Sequence, residues 1–286
     1  MLQLSIITIN LNNGNGLNNT IKSVLEQTYI NFEFIVIDGG STDNSIDIIK
    51  QFSSQISFWV SEKDSGIYNA MNKGINTAKG EYCLFLNSGD FFYSNETLLN
   101  IFSLGLSEDI FYGDSFRYDK TNREGFLVIE PDNLSLYHFF KKSICHQSTF
   151  IKRELFKKFG YYNEQLQIAA DWEFNIIAIV INNCQTKHIN ITVVYFDARG
   201  LSNTNEEISL KEREVILNKL FPKRIIADLH RLELLEDELL MIHKSFVFRL
   251  RREFKKTLKS VLMIRTKLQY LIALFCIQQK NKTLLN

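Results

Sequence analysis

The amino-acid sequence predicts an α/β fold in which a Rossmann-like, mostly parallel sheet is flanked by helices and followed by a helical C-terminal extension. Over residues 1–100, short and continuously apolar runs alternate with segments whose apolar residues recur at helical spacing. Continuous apolar runs are typical of strands buried on both faces of a parallel sheet. The connections are short, as in repeated strand–loop–helix units. From about Glu206 onward the apolar spacing is helical.

The first half of the predicted domain consists of four strands and three helices. The strands are Leu4–Ile9, Phe32–Ile37, Phe58–Val60 and Tyr82–Leu86. The first helix follows an Asn- and Gly-rich loop at Asn10–Asn19. The second helix is capped by Ser41 or Asp43, and the third carries apolar residues from Ile67 to Ile75.

The second half of the pattern is less regular. It contains predicted strands at Ile110–Tyr112 and Ile189–Phe196, apolar runs at Phe126–Ile129 and Ser148–Ile151, and a predicted helix at Trp172–Ile181. We therefore predict one domain over residues 1–205, divided into halves at 1–100 and 101–205, and a helical extension over 206–286.

Charge is distributed unevenly along the chain. The net charge of the 286 residues is +1, but nine Lys or Arg and a single acid, Glu253, lie between Lys244 and Lys267. The rest of the chain holds 24 basic and 31 acidic residues and is mildly acidic, so we expect no nucleic-acid partner.

The basic segment also carries apolar residues at every fourth position. They are Phe246, Leu250, Phe254, Leu258 and Leu262. Such a helix is either a peripheral membrane contact through residues 243–267, attracted by anionic lipids, or a helix packed on the domain with a solvated basic face.

Cysteine spacing and the termini exclude other classes. The four cysteines form no CxxC pair, which is unlike a zinc site or a small disulfide scaffold. The N-terminus has no basic region before its apolar run, unlike a signal peptide. The longest apolar stretch, Leu268–Ile277, is too short to span a bilayer. We expect a cytoplasmic protein.

Polar residues follow directly after the strands of the first half. They are Asn10, Asp38, Asp64 and the segment Asn87-Ser88-Gly89-Asp90. Ligands of doubly wound sheets bind at the carboxyl ends of the strands. These side chains are therefore predicted to line one crevice.

Two acids on this edge have a functional and a structural interpretation. The Asp38 carboxylate suits the N–H of a nucleobase or the hydroxyls of a ribose, or it shapes the turn before Gly39. Asp90 suits Mg²⁺ or Mn²⁺, which prefer oxygen ligands and neutralise a departing diphosphate. Alternatively, the Asn-Ser-Gly-Asp segment is a tight turn.

Candidates for proton transfer and substrate contact lie downstream. Asp171 opens a predicted helix, where a carboxylate either takes the proton of an attacking hydroxyl or caps the helix. Glu173 would complement the helix dipole. His146, followed by Gln147, suits a metal, a phosphate, an acceptor or a structural hydrogen bond.

A dinucleotide site is an alternative. Gly14 and Gly16 form part of a dinucleotide-binding fingerprint, and Asp38 follows about twenty residues later. Asn19 occupies the position of the third glycine, which weakens this interpretation. An NAD-dependent oxidoreductase remains an alternative function.

Taken together, eight stretches resemble glycosyltransferase family 2, in particular its colanic-acid, WcaE-like branch that builds bacterial surface polysaccharides. They are SIITINLNN, TIKSVLEQTY, FIVIDGGSTDNSIDII, WVSEKDSGIYNAMNKGI, GEYCLFLNSGD, IFYGD, HQSTFIKRELF and ADWEF. They occur in the family's order over about residues 3–200. The resemblance implies the GT-A fold, with a nucleotide-sugar-binding half at 1–100 and an acceptor and catalytic half at 101–205.

The resemblance also implies roles for individual residues. Residues expected to bind the nucleotide-sugar are Thr8, Asn10, Asp38, Asp64, Gly66, Asn87 and Ser88. Asp171 matches the general base, and Asp90 is the expected metal ligand. His146, Gln147 and Glu173 are expected to contact the acceptor or a phosphate.

One departure from the family concerns the metal. The segment 87–90 occupies the place of the family's Asp-x-Asp triplet but keeps only Asp90 as an acid. We predict an inverting glycosyltransferase that uses Mn²⁺ or Mg²⁺, a UDP- or GDP-sugar donor and a glycan or lipid-linked acceptor at the inner face of the membrane. The depleted triplet leaves an inactive sugar-nucleotide-binding subunit as a second alternative.

Overall fold

The computed structural model describes residues 2–119, 124–197, 205–244, 246–247, 249–252 and 263. The chain divides into two compact units, Met1–Phe221 and Pro222–Asn286. In the second unit, residues 223–244 are helical. In the described residues, no helix is both long enough and apolar enough to cross a bilayer.

The first half of the first unit follows the predicted order. It consists of β1 (Leu4–Asn10), α1 (Gly14–Leu25), β2 (Phe32–Asp38), α2 (Ser45–Gln51), β3 (Phe58–Ser61), α3 (Ile67–Thr77) and β4 (Tyr82–Phe85). The four predicted strands are confirmed, because apolar runs buried on both faces are a strong local signal. Asn44 is the N-cap position of α2 and makes no side-chain cap bond, whereas Asp43 accepts from the backbone N–H of Ser45, the first residue of α2, at 3.0 Å and from that of Gly14 at 2.9 Å.

The second half adds longer and mixed elements. They are β5 (Phe91–Phe92), α4 (Thr97–Phe102), β6 (Ile110–Asp119), β7 (Glu124–Val128), α5 (Leu136–Lys141), a 3₁₀ turn (His146–Ser148), β8 (Thr149–Lys152), α6 (Glu154–Phe159), α7 (Ala170–Asn175), a π-helix (Ile176–Ile181), β9 (Thr186–Asp197) and α8 (Glu206–Leu220). The predicted helix Trp172–Ile181 is therefore an α-helix that continues as a π-helix.

Among the described residues, nine strands form a single sheet in the order β3-β2-β1-β4-β8-β6-β9-β5, with β7 beside β6. The strands β1 to β4 are parallel, and β8 joins β4 and β6 in antiparallel pairs. The doubly wound α/β sheet is thus confirmed. Since β1 lies between β2 and β4, their carboxyl ends open at one edge.

Helix α8 belongs to the first unit, although its sequence was placed in the extension. Its Glu212 accepts hydrogen bonds from three successive backbone N–H groups, those of Gln167 at 2.6 Å, Ile168 at 3.0 Å and Ala169 at 2.9 Å. These groups precede α7, whose N-cap residue Ala169 supplies no side-chain cap. Glu212 therefore satisfies three consecutive backbone donors that lead into that helix, including the N-cap residue Ala169.

Gly80 allows the chain to pass closely beside β1 before β4 begins. Its backbone N–H donates to Ser5 Oγ at 2.9 Å, and a Cβ atom there would lie 2.6 Å from the Leu4 carbonyl carbon. We expect Gly80→Ala to lower the free energy of unfolding by about 1–3 kcal/mol, because backbone atoms must shift. Urea unfolding measures this change, with the exposed neighbour Lys79→Ala as the control. Equal stability of both variants would contradict the close approach.

Candidate active site

Asp38 forms a buried hydrogen-bonded centre at the end of β2. Its carboxylate accepts from Asn10 Nδ2 at 2.7 Å, from the Ser41 backbone N–H at 2.9 Å and hydroxyl at 2.6 Å, and from Ser61 Oγ at 2.6 Å. Burial opposes ionisation, but these donors hold the pKa of Asp38 below its usual value. The side chain is fully buried, so it lies beneath the crevice surface and ties three strand ends together.

Two residues predicted for the nucleotide site are accounted for by this interior packing. Thr8 is fully buried, and its hydroxyl donates to the Leu86 carbonyl at 2.7 Å. Its predicted contact with a ligand stays a prediction, and its side chain is enclosed because all seven residues of β1 are buried whatever their polarity. Asn10 is 5% exposed and donates to both Asp38 and Ser41.

Asp64 and Gly66 lie after β3, at the start of α3. A Cβ atom at Gly39 would meet Asp64 Oδ2 at 2.9 Å, so the Asp64 carboxylate lies directly over Gly39. Lys73 bonds Asp64 at 2.6 Å and Glu62 at 2.7 Å. Gly66 caps α3 with a φ of 142°, which favours glycine, and no atom lies within 4 Å of the space its side chain would take.

The segment 87–90 is a turn held by α1. Thr20 Oγ1 accepts from the Gly89 backbone N–H at 2.9 Å and donates to the Asp90 carbonyl at 2.7 Å. Gly89 has a φ of 106°, so an acid at this third position would be strained. The carbonyl of Ser88 accepts from Asn13 Nδ2 at 2.9 Å. The tight-turn interpretation is correct, and the turn also carries Asn87 and Asp90.

A chain of contacts joins this turn to the residues downstream. Asn87 Nδ2 lies 3.1 Å from His146 Nε2, and His146 Nδ1 lies 3.4 Å from Asp171 Oδ2. Gln147 Nε2 donates to Asp90 Oδ2 at 2.9 Å. With the Asn87 amide donating to Nε2, the proton of a neutral His146 sits on Nδ1 and faces Asp171. Five of the predicted site residues thus meet in one place.

Asp171 is a mostly buried carboxylate at the start of α7, with 15% of its side chain exposed. The capping interpretation is wrong, because Ala169 is the N-cap. The Tyr68 hydroxyl lies 3.0 Å from Asp171 Oδ1 and 2.5 Å from the Ile168 carbonyl oxygen, and these are the two acceptors within reach of its single proton. Burial favours the neutral acid, but the contacts with His146 and Tyr68 hold the pKa of Asp171 below its usual value. The carboxylate is therefore ionised near neutral pH and can accept a proton.

Glu173 does not reach this cluster. It is 5% exposed, and its carboxylate pairs with Lys219 of α8 at 3.0 Å and accepts from Asn163 at 3.4 Å. The expected contact of Glu173 with an acceptor or phosphate stays a prediction, and in this structure its carboxylate contacts Lys219 and Asn163. A residue two positions after Asp171 on a helix faces away from it.

Tyr68 was not predicted as a site residue, since it lies 103 positions from Asp171 and matches the apolar face of α3. We expect Tyr68→Phe to raise the pKa of Asp171, because a donor to its carboxylate is lost. The acid limb of the rate profile should move to higher pH, and kcat at pH 7 should fall about three- to tenfold. A pH series of kcat measures both effects, and an unchanged acid limb would contradict the role of Tyr68.

The residues near the turn suit a divalent cation only in part. Among the described residues there is no group of three or more His, Cys, Asp or Glu side chains that could hold a metal. Asp90 supplies one carboxylate, and the buried Asn87 Oδ1 has no hydrogen-bond partner. Mg²⁺ is commonly held by one or two carboxylates together with phosphate oxygens, so this pair of oxygen donors fits a cation that arrives with a diphosphate.

The chain is similar to known proteins over most of its length. The sequence profile described as "Glycosyl transferase family 2" matches residues 5–160. A "PGL/p-HBAD biosynthesis glycosyltransferase" of Mycobacterium bovis is 34% identical over 228 residues, which is 77% of this chain and 83% of that protein. An "uncharacterized glycosyltransferase" of Mycobacterium tuberculosis is 33% identical over 232 residues, 80% of this chain and 84% of its own length.

Solved structures share the architecture. TarS from S. aureus matches with a TM-score of 0.57 at 21% identity, over 68% of this chain and 60% of its own. A mannosyltransferase from Pyrobaculum calidifontis, in complex with GDP-Man and Mn²⁺, matches with a TM-score of 0.55 at 15% identity, over 73% of this chain and 60% of its own. The chain spans about 60% of the length of these structures, and the likeness shows a GT-A fold.

Proposed function

The chain belongs to glycosyl transferase family 2 and is a glycosyltransferase, and we propose that it moves one hexose or N-acetylhexosamine from a UDP- or GDP-sugar to a glycan hydroxyl with inversion. The observation that carries this proposal is the contact chain from Asp171 through His146 to Asn87. It supports the proposal because an ionised carboxylate then lies two contacts away from Asn87 in the turn 87–90. Neither an NAD-dependent oxidoreductase nor an inactive binding subunit is supported by this membership.

The mechanism we propose is a single displacement. Asp171 accepts the proton of the acceptor hydroxyl as its oxygen bonds to the anomeric carbon, and the bond from that carbon to the diphosphate oxygen breaks. The electron pair of this bond leaves with the nucleoside diphosphate. Asp90 and Asn87 Oδ1 would hold Mn²⁺ or Mg²⁺ against the diphosphate, where the cation would neutralise the developing negative charge. His146 and Tyr68 hold the Asp171 carboxylate in place.

The acceptor we propose is a glycan, lipid-linked, in bacterial surface polysaccharide synthesis at the inner face of the cytoplasmic membrane. One relative is named for PGL/p-HBAD biosynthesis. In the second unit, Phe246 is 58% and Leu250 54% exposed, and the neighbouring Arg249 and Arg251 are exposed as well. Exposed apolar and cationic side chains on one segment suit an anionic lipid surface. Most of the stretch after residue 252 lies outside the described residues.

A thermal-shift screen tests the donor. A ligand that binds only the folded state raises the melting temperature, by an amount that grows with the ratio of its concentration to its Kd. We expect UDP or GDP, with Mn²⁺ present, to raise the Tm of the full chain, and the matching nucleotide-sugar to raise it at least as much. NAD⁺ serves as the control and should have no effect. A shift with NAD⁺ and none with either nucleotide would refute the proposal.

A further inference from the structure

Arg213 of α8 lies on the indole ring of Trp172, the residue after Asp171. Its guanidinium carbon is 5.1 Å from the ring centroid. Trp172 is 1% exposed, and its Nε1 donates to the Phe139 carbonyl at 2.9 Å. The ring is therefore a fixed platform, and a cation stacked on it is held in a defined plane.

One donor of the Arg213 guanidinium is unpaired in the part of the chain that the structure describes. Among the described residues, its buried Nε has no hydrogen-bond partner. Burial lowers the pKa of Arg213, and the negative charge of Asp171 opposes this shift. The cation thus lies within electrostatic range of Asp171. A partly buried guanidinium with an unused donor is a costly arrangement unless an anion completes it.

We propose that Arg213 binds a phosphate group of a substrate beside Asp171. A planar guanidinium presents two parallel N–H donors that match two phosphate oxygens. The phosphate belongs either to the diphosphate of the donor or to a lipid-linked acceptor. Because the segment 87–90 keeps only Asp90 as an acid, a fixed cation would supplement a weakly held metal ion. This inference rests on the proposed function for the identity of the substrates.

Anion binding to the full chain tests it without an activity assay. Inorganic pyrophosphate, UDP, GDP and decyl phosphate are titrated into the wild type, Arg213→Gln and Lys211→Gln. Lys211 is the matched control, because it lies on the same helix, is 72% exposed and pairs with Glu207. We expect Arg213→Gln to bind pyrophosphate about tenfold more weakly, as for a lost charge-assisted pair, and Lys211→Gln to bind it normally.

The separate ligands identify the source of the phosphate. Weakened binding of pyrophosphate and of UDP or GDP assigns Arg213 to the donor, whereas weakened binding of decyl phosphate alone assigns it to the acceptor. Equal affinities of Arg213→Gln and the wild type for all four ligands would overturn the inference.

A second measurement leaves Arg213 in place. The chain has two tryptophans, so Trp59→Phe leaves Trp172 as the single emitter. Saturable quenching or a shift of its emission by one of the four ligands is expected, and no change with any of them overturns the inference. Asp171→Asn should bind these anions as well as or better than the wild type, because a nearby negative charge is removed. Anion binding by Arg213 would therefore be observed even if Asp171 were not the catalytic base.

Discussion

Asp171→Asn is expected to lower kcat for glycosyl transfer by about 10²- to 10⁴-fold, the usual contribution of a general base. The amide has nearly the same shape as the carboxylate and can still accept from Tyr68, so the start of α7 should keep its structure. It cannot take up the proton of the acceptor hydroxyl. The donor contacts at the strand ends are untouched, and the Kd for the nucleotide-sugar should change by less than about twofold.

The measurement pairs initial rates with donor binding, because only the combination separates chemistry from folding. Glu173→Gln is the matched control, since Glu173 is an acid on the same helix whose carboxylate faces Lys219. It should retain the wild-type rate per folded molecule, with some loss of stability. Full transfer by Asp171→Asn would refute its assignment as the base.

Asp90→Ala is expected to lower kcat by about 10²- to 10³-fold and to abolish any response of the rate to added Mn²⁺. The physical reason is the charge, because the turn 87–90 offers a cation one carboxylate, that of Asp90, and one amide oxygen, Asn87 Oδ1. Removing the carboxylate leaves too few hard oxygen ligands. Rates are titrated against Mn²⁺ and against EDTA.

Asp90→Asn distinguishes a metal ligand from a structural acceptor. Its amide oxygen can still accept from Gln147, so the hydrogen bond at 2.9 Å is preserved while the charge is lost. If Asp90 holds a cation, Asp90→Asn should be nearly as slow as Asp90→Ala. An Asp90→Asn protein with wild-type rate and Mn²⁺ response would show that Asp90 only orients Gln147.

The strands of the first half could be predicted because each is a local apolar run, such as Leu4–Asn10, and local patterns report burial. Thr8 marks a limit of this signal, because a polar residue in a fully buried strand needs only one interior partner, here the Leu86 carbonyl. Two of the four hydrogen bonds of Asp38 come from Ser41 in the turn that follows it, but the other two come from Asn10 and Ser61 at the ends of β1 and β3, and no spacing rule reveals those.

The contacts around Asp171 show where sequence reasoning stops. His146 was a candidate because histidine in a polar dipeptide is conspicuous, whereas Tyr68 resembled any other aromatic core residue. Arg213 lies on a helix with little amphipathic pattern, and its position over Trp172 depends on how α8 packs. Such long-range packing is set by tertiary structure, and one unaligned sequence carries no direct signal of it.

The hydrogen bonds from three backbone amides to Glu212 connect the segment before α7, the helix that carries Asp171, with α8. The amide protons of Gln167, Ile168 and Ala169 should exchange slowly with deuterium only while α8 is packed against this segment. Their exchange rates therefore report the packing of α8. A chain stopped at residue 205 would retain the base but lose the carboxylate that orders its helix start. Substrate binding and the packing of α8 should then be thermodynamically coupled: packing of α8 raises the affinity for the substrate, and bound substrate raises the equilibrium constant for packing by the same factor.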